Sequence, residues 1–138
     1  MIKSKIDVEI EFESPTTLGL YGIKRVFNQE IKSSETKFHR GSLRSGQRIE
    51  YEGSIVIIGD VKAGAEIVAA ENIVILGELK GLAHAGAKGN SEAINAANKI
   101  ECPQIRIADK IKEFEKDDFE GVTYTYAYVN EKEELVIE

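Results

Sequence analysis

IEYEGSIVIIGDVK at residues 49–62, set above IVAAENIVILGELK at residues 67–80, is the stretch that decides the fold. The two segments are offset by 18 residues. Identities fall at Ile49/Ile67, Ile55/Ile73, Val56/Val74, Ile57/Ile75, Gly59/Gly77 and Lys62/Lys80, and Ile58/Leu76, Asp60/Glu78 and Val61/Leu79 change like for like. A finer period runs inside the repeat: Ile49, Ile55, Val61, Ile67, Ile73, Leu79 and Ala85 are all apolar and six residues apart. A chain that turns a corner every six residues and returns above its starting point after three such sides is one coil of a triangular β-helix. The pattern therefore predicts a mainly β protein, a short parallel β-helix with one aliphatic residue per side pointing inward. Each such residue contributes roughly 1.5–3 kcal/mol on burial, and only stacking of coils buries it. Residues 105–109 (IRIAD) repeat residues 73–77 at an offset of 32, so about 14 residues around 86–95 (32 less 18) are expected to bulge from the third coil.

Ile55–Ile58 and Ile73–Leu76 are apolar at both parities, whereas a strand with one wet face alternates. With Ile55, Ile57, Ile73 and Ile75 inward, Val56, Ile58, Val74 and Leu76 form an aliphatic outer face. Such a face marks a subunit interface, the alternative being that terminal segments fold over it.

The flanks read differently. Ile6, Val8, Ile10 and Phe12 alternate with acidic residues as a strand does, and Ile23, Val26, Phe27 and Ile31 share one helical face. Polar residues 32–36 follow as a linker, so the chain divides into an appendage, 1–36, and a coil domain, 37–138. Beyond the coils, residues 110–116 are expected to form a short capping turn. Residues 122–129 and 135–138 read as a hairpin that puts Tyr124, Tyr126 and Tyr128 on one face to close the open end.

The 138 residues carry 24 acidic and 18 basic groups, net −6, which opposes unspecific binding to nucleic acid or anionic lipid. One cysteine, Cys102, allows no internal disulfide and no structural zinc site, and no run reaches the ~18 apolar residues of a membrane span. A soluble, cytoplasmic protein without cofactor or metal is expected. His39 is read as solvated in a polar linker, His84 as a packed histidine bonded to backbone, and Cys102 as a small buried hydrophobe. The stretch 81–88 lacks the Gly-Lys-Ser/Thr ending and the strand-to-helix setting of a phosphate loop. One enzymatic alternative follows from the period itself, since six-residue repeats also build the left-handed β-helices of trimeric acyltransferases, in which His84 would be the base.

Ahead of the first repeat, residues 36–49 (TKFHRGSLRSGQRI) form a cationic segment with Arg40, Arg44 and Arg48 four apart. Together with VIIGDV at 56–61, AGAE at 63–66, GELKG at 77–81, AHAG at 83–86 and QIRIAD at 104–109, the RSGQ of Arg44–Gln47 resembles the C-terminal domain of the septum site-determining protein MinC family. The resemblance implies a right-handed triangular β-helix that dimerises through an apolar face and is not an enzyme. It further implies that the chain binds the membrane-associated ATPase MinD through Arg44, Ser45, Gly46 and Gln47, with Gly64 as a weaker addition. The membrane would be reached only indirectly, through MinD, to keep FtsZ rings from forming at wrong sites. FtsZ antagonism in the family belongs to an N-terminal domain of about a hundred residues, longer than the 1–36 appendage, so MinD binding and dimerisation are the properties expected of this chain.

Overall fold

The computed structural model describes residues 35–138, so the expected strand at 6–12 and helix at 21–31 lie outside the described residues. Two sheets and a narrow third side stack in four coils. β1 (Thr36–Arg40), β3 (Ser54–Ile58), β5 (Ile73–Leu79) and β7 (Asn95–Ile100) lie parallel in one sheet, and β2 (Arg48–Tyr51), β4 (Glu66–Ala69), β6 (Leu82–Ala85) and β8 (Gln104–Ile107) in the other. The third side is reduced to parallel bridges joining Leu43 to Val61 and Val61 to Leu79. Ile55 pairs with Ile73, Ile49 with Ile67 and Val61 with Leu79, the 18-residue register that the repeat demands. Ile55, Val61, Ile67, Ile73, Leu79 and Ala85 are fully buried in one core.

Two expectations about the coils are corrected. The coils begin one turn earlier, because Lys37 pairs with Ile55 and His39 with Ile57. His39 therefore stands in β1 and not in a linker. This coil has a described neighbour on one side only, and its inward positions carry Lys37 and His39 in place of aliphatic residues, so the hydrophobic period fades there. The second correction concerns Ile105, which stacks on Ala83 in the second sheet and not on Ile73, whose partner is Asn95. The segment Asn95-Ala96-Ala97 carries no aliphatic signal, while Ala83 and Ala85 opposite Ile105 and Ile107 keep the interior filled by pairing small with large. The insertion lies between β6 and β7, at residues 86–94, where it was expected, but it is smaller than expected: Asn95 follows its partner Ile73 by 22 residues, so this coil is four residues longer than the 18-residue repeat and not about 14.

The corners hold because side chains satisfy the turn amides that no strand can. Ser54 Oγ accepts from the Asn72 N–H at 3.1 Å, and Asn72 Oδ1 in turn accepts from the Ile94 N–H at 3.0 Å. Ser42, Asp60 and Glu78 repeat the device at another corner: Ser42 Oγ accepts from the Asp60 N–H at 3.0 Å and Asp60 Oδ1 from the Glu78 N–H at 2.8 Å. Beside it stands a column of Gly41, Gly59 and Gly77, packed so closely that a Cβ on Gly59 would lie 2.7 Å from the Gly41 carbonyl carbon.

Antiparallel strands close the far end. β9 (Lys110–Glu113) folds back on β8 as a strand, where the sequence predicted a turn, and the tight reversal places Ala108 at φ 54. A 3₁₀ turn (Lys116–Phe119) leads to β10 (Tyr124–Val129), which pairs antiparallel with β7 and with β11 (Leu135–Ile137). A bulge in β10 makes the amides of Thr125 and Tyr126 share one acceptor, the Glu138 carbonyl. It splits the tyrosine stripe: Tyr124 packs on the main core against Phe119 at 6.1 Å, while Tyr126 and Tyr128 stack at 5.1 Å on the outer side. The three tyrosines do not share a face.

The buried corner ladder gives a direct test. Asn72→Ala strands the buried Ile94 N–H and should cost about 1–3 kcal/mol, read as a lower urea midpoint. An unchanged midpoint would show that the ladder carries no stability.

Candidate partner-binding corner

Arg44, Ser45, Gly46 and Gln47 form a type II β-turn on the first coil. The Gln47 N–H donates to the Arg44 carbonyl at 3.0 Å, and Gly46 takes φ +88 at the third position, where only a residue without Cβ is unstrained. One coil below, the turn recurs at residues 62–65, with Ala65 N–H donating to the Lys62 carbonyl at 3.0 Å and Gly64 again at φ +88. The Gly46 N–H donates to the Gly64 carbonyl at 3.0 Å and joins the two turns. The structure thus brings all five sequence-expected residues to one exposed corner. They divide by neighbourhood. A Cβ on Gly46 would meet nothing within 4 Å, whereas one on Gly64 would run into the Ser45 hydroxyl.

Spacing of four does not make a ladder on a coil that turns every six residues. Arg40 ends β1, Arg44 sits at the corner, and Arg48 opens β2 on another side. Arg48 is also spoken for: Glu50 takes one guanidinium nitrogen at 2.8 Å and Glu66 another at 3.2 Å. The Glu50 hydrogen bond, and then the two carboxylate charges, raise its pKa above the ordinary arginine value. Arg44 has no carboxylate partner among the described residues and remains available to an incoming acid.

The outer-face residues separate as parity predicts. Ile55, Ile57, Ile73 and Ile75 belong to the main core, while Val56 and Val74 are buried in a second cluster with Ile94, Ala96 and Tyr126, against which Leu76 packs. Ile58 stays 41% exposed, and Phe38 on β1 is 54% exposed, an outward aromatic that the sequence reading did not single out. Its signal was the same 18-residue register, since Phe38 pairs with Val56.

His84 is held by backbone, its Nε2–H donating to the Ala108 carbonyl at 2.9 Å. Cys102 is buried, and burial pushes its thiol up to about 12. Among the described residues no group of three His, Cys, Asp or Glu side chains converges, and no helix is long and apolar enough to cross a membrane. A groove of about 650 Å³ at the opposite end of the stack is floored by Phe114, Tyr124, Leu135 and Ile137.

Residues 37–138 match the family model described as septum formation inhibitor MinC, C-terminal domain. The chain belongs to that family. It is 44% identical over 119 residues to the probable septum site-determining protein MinC of Caldanaerobacter subterraneus subsp. tengcongensis, covering 83% of this chain and 55% of the relative. The corresponding protein of Acetivibrio thermocellus is 50% identical over 81 residues, 59% of this chain and 36% of the relative. Among solved structures, a chain of the MinC:MinD cell division protein complex of Aquifex aeolicus matches with TM-score 0.70 and 36% identity, over 76% of this chain and 86% of that one. The chain spans about half the length of the first of these relatives. Family membership takes the place of the acyltransferase alternative, and nothing around His84 favours that reading.

Asp60 makes the corner ladder sensitive to acid. The Glu78 N–H bonded to its carboxylate, followed in order of favourable effects by Lys62, holds its pKa below the ordinary 3.8. A depressed carboxylate contributes stability above its unfolded pKa and loses it as pH falls through the folded value. Asp60→Asn keeps an acceptor oxygen but does not titrate, so its urea midpoint should fall less than that of the wild type between about pH 5 and about pH 2. Equal losses would remove Asp60 from the acid response.

Proposed function

We propose that this chain is the dimerising, MinD-binding part of a cell-division inhibitor, with residues 37–138 as the working domain and 1–36 as an appendage. In this reading the Arg44–Gln47 turn, with Gly64 beneath it, docks on the ATPase MinD. MinD in turn brings the cytoplasmic protein to the inner face of the membrane, where the assembly prevents FtsZ rings at wrong sites. Contact with FtsZ itself would need the family's N-terminal domain. The observation that carries the proposal is the likeness to a chain of the MinC:MinD complex, supported by an exposed turn whose arginine has no carboxylate partner among the described residues. A guanidinium beside a hydroxyl suits a carboxylate on the partner, the charge-assisted pairing that gives orientation as well as affinity. No catalytic step is required of any residue.

Dimerisation is assigned to the outer face of the first sheet, through Val56, Ile58, Val74 and Leu76. Ile58, exposed, and Leu76, half-buried, stand at the margin of the second apolar cluster and supply the contact, while Val56 and Val74, already buried within the chain, support it from beneath.

Co-sedimentation with MinD, ATP and lipid vesicles tests the corner. Arg44→Ala should weaken recovery about tenfold or more, and Gly46→Asp, which meets no neighbour but strains the φ +88 position by about 1–2 kcal/mol, should do the same with the coil still folded; wild-type recovery in both would refute the assignment. For the face, Ile58→Asp changes an exposed position and so spares the core. It should shift the dimer to monomer in sedimentation equilibrium, and a persistent dimer would place the interface elsewhere.

A further inference from the structure

We propose that Gln47 acts as a positioning residue for this corner, its side-chain carbonyl taking the place that a backbone carbonyl of the preceding coil takes at the next two turns. The inference rests on the reading of the corner as the partner-binding site and assigns roles within it. Arg44, Lys62 and Lys80 occupy the same place in successive coils. The Lys80 N–H donates to the Val61 carbonyl at 2.8 Å and the Lys62 N–H to the Leu43 carbonyl at 2.9 Å, so each turn is anchored to the coil before it. Arg44 belongs to the first coil and has no such carbonyl among the described residues. Its N–H donates instead to Gln47 Oε1 at 2.7 Å.

The lower turn supplies the control within the same chain. Ala65 stands where Gln47 does, and the Lys62 amide needs no side-chain acceptor because Leu43 provides one. Gln47 is therefore the residue an end coil requires, and its acceptor oxygen is consumed inside the turn. Gly64 works the same way from below, since a Cβ there would displace the Ser45 hydroxyl. With the amides of Arg44, Gly46 and Gln47 all bonded, the Ser45 N–H is the one amide of the turn that makes no hydrogen bond within the described residues. It lies beside the Ser45 hydroxyl and next in the chain to Arg44. The geometry assigns recognition of a partner carboxylate to Arg44 and Ser45, and the shaping of that site to Gln47 and Gly64.

Two readouts on the full chain separate positioning from contact: hydrogen exchange at the Arg44 amide in the free protein, and co-sedimentation with MinD. Gln47→Ala should speed Arg44 exchange about fivefold or more and weaken MinD recovery by a similar factor. Gln47→Glu retains an acceptor oxygen and should keep Arg44 exchange within about twofold of the wild type. Unchanged Arg44 exchange in Gln47→Ala would overturn the proposal. So would a Gln47→Ala variant that exchanges faster at Arg44 yet is recovered with MinD as well as the wild type, since the shape of the turn would then not bear on the partner. If Arg44→Ala bound MinD normally, the partner site would lie elsewhere, while the exchange measurement would still decide what Gln47 does for the turn.

Discussion

Every coil of this protein buries its aliphatic residues only against the coils above and below it, and the rest of the structure follows from that dependence. No side of the triangle is more than a few residues long, far too short to form a core of its own. Once Ile55 lies over Ile73 and Ile49 over Ile67, with Val61 over Leu79 on the third side, the interior becomes three continuous columns. Stacking also fixes the backbone, because the parallel hydrogen bonds between coils need the same register as the side chains.

The same dependence creates two problems, at corners and at ends. At corners the chain leaves the sheet, and its amides would be orphaned without the Ser54–Asn72 and Ser42–Asp60 ladders. At the ends a coil loses a neighbour. The far end is closed by antiparallel β9 and β10 with an aromatic cluster of Phe114, Phe119 and Tyr124. At the near end Lys37 lies over the Tyr51 ring at 5.9 Å, and Gln47 closes its own turn. The corner proposed to bind the partner thus sits on the first described coil, where no further described coil covers the turn groups.

Much of this was legible in the chain. The six-residue ladder from Ile49 to Ala85 specified inward positions, and the double parity of residues 55–58 and 73–76 foretold two apolar clusters. Arg44–Gln47 and Gly64 could be singled out from their motif. What was not legible had physical causes. The first described coil, which stacks on a described neighbour on one side only, carries polar residues inward, and the fourth carries alanines and Asn95 where aliphatics were sought. The bulge at Thr125 reverses Tyr124 relative to Tyr126, a shift of one residue that alternation cannot reveal.

The amino-acid order alone dictates the period, the inward residues and the glycine corners, since these depend on spacing along one strand of chain. Which groups are free to bind is a different matter. Arg44 and Arg48 look equivalent in the sequence, yet Glu66, 18 residues downstream, comes beside Arg48 only because the coils stack. Likewise Gln47 Oε1 accepts the Arg44 N–H of its own turn, where no described coil offers a backbone carbonyl. Availability is set by neighbours distant in sequence, and only the stacked structure brings those neighbours into contact.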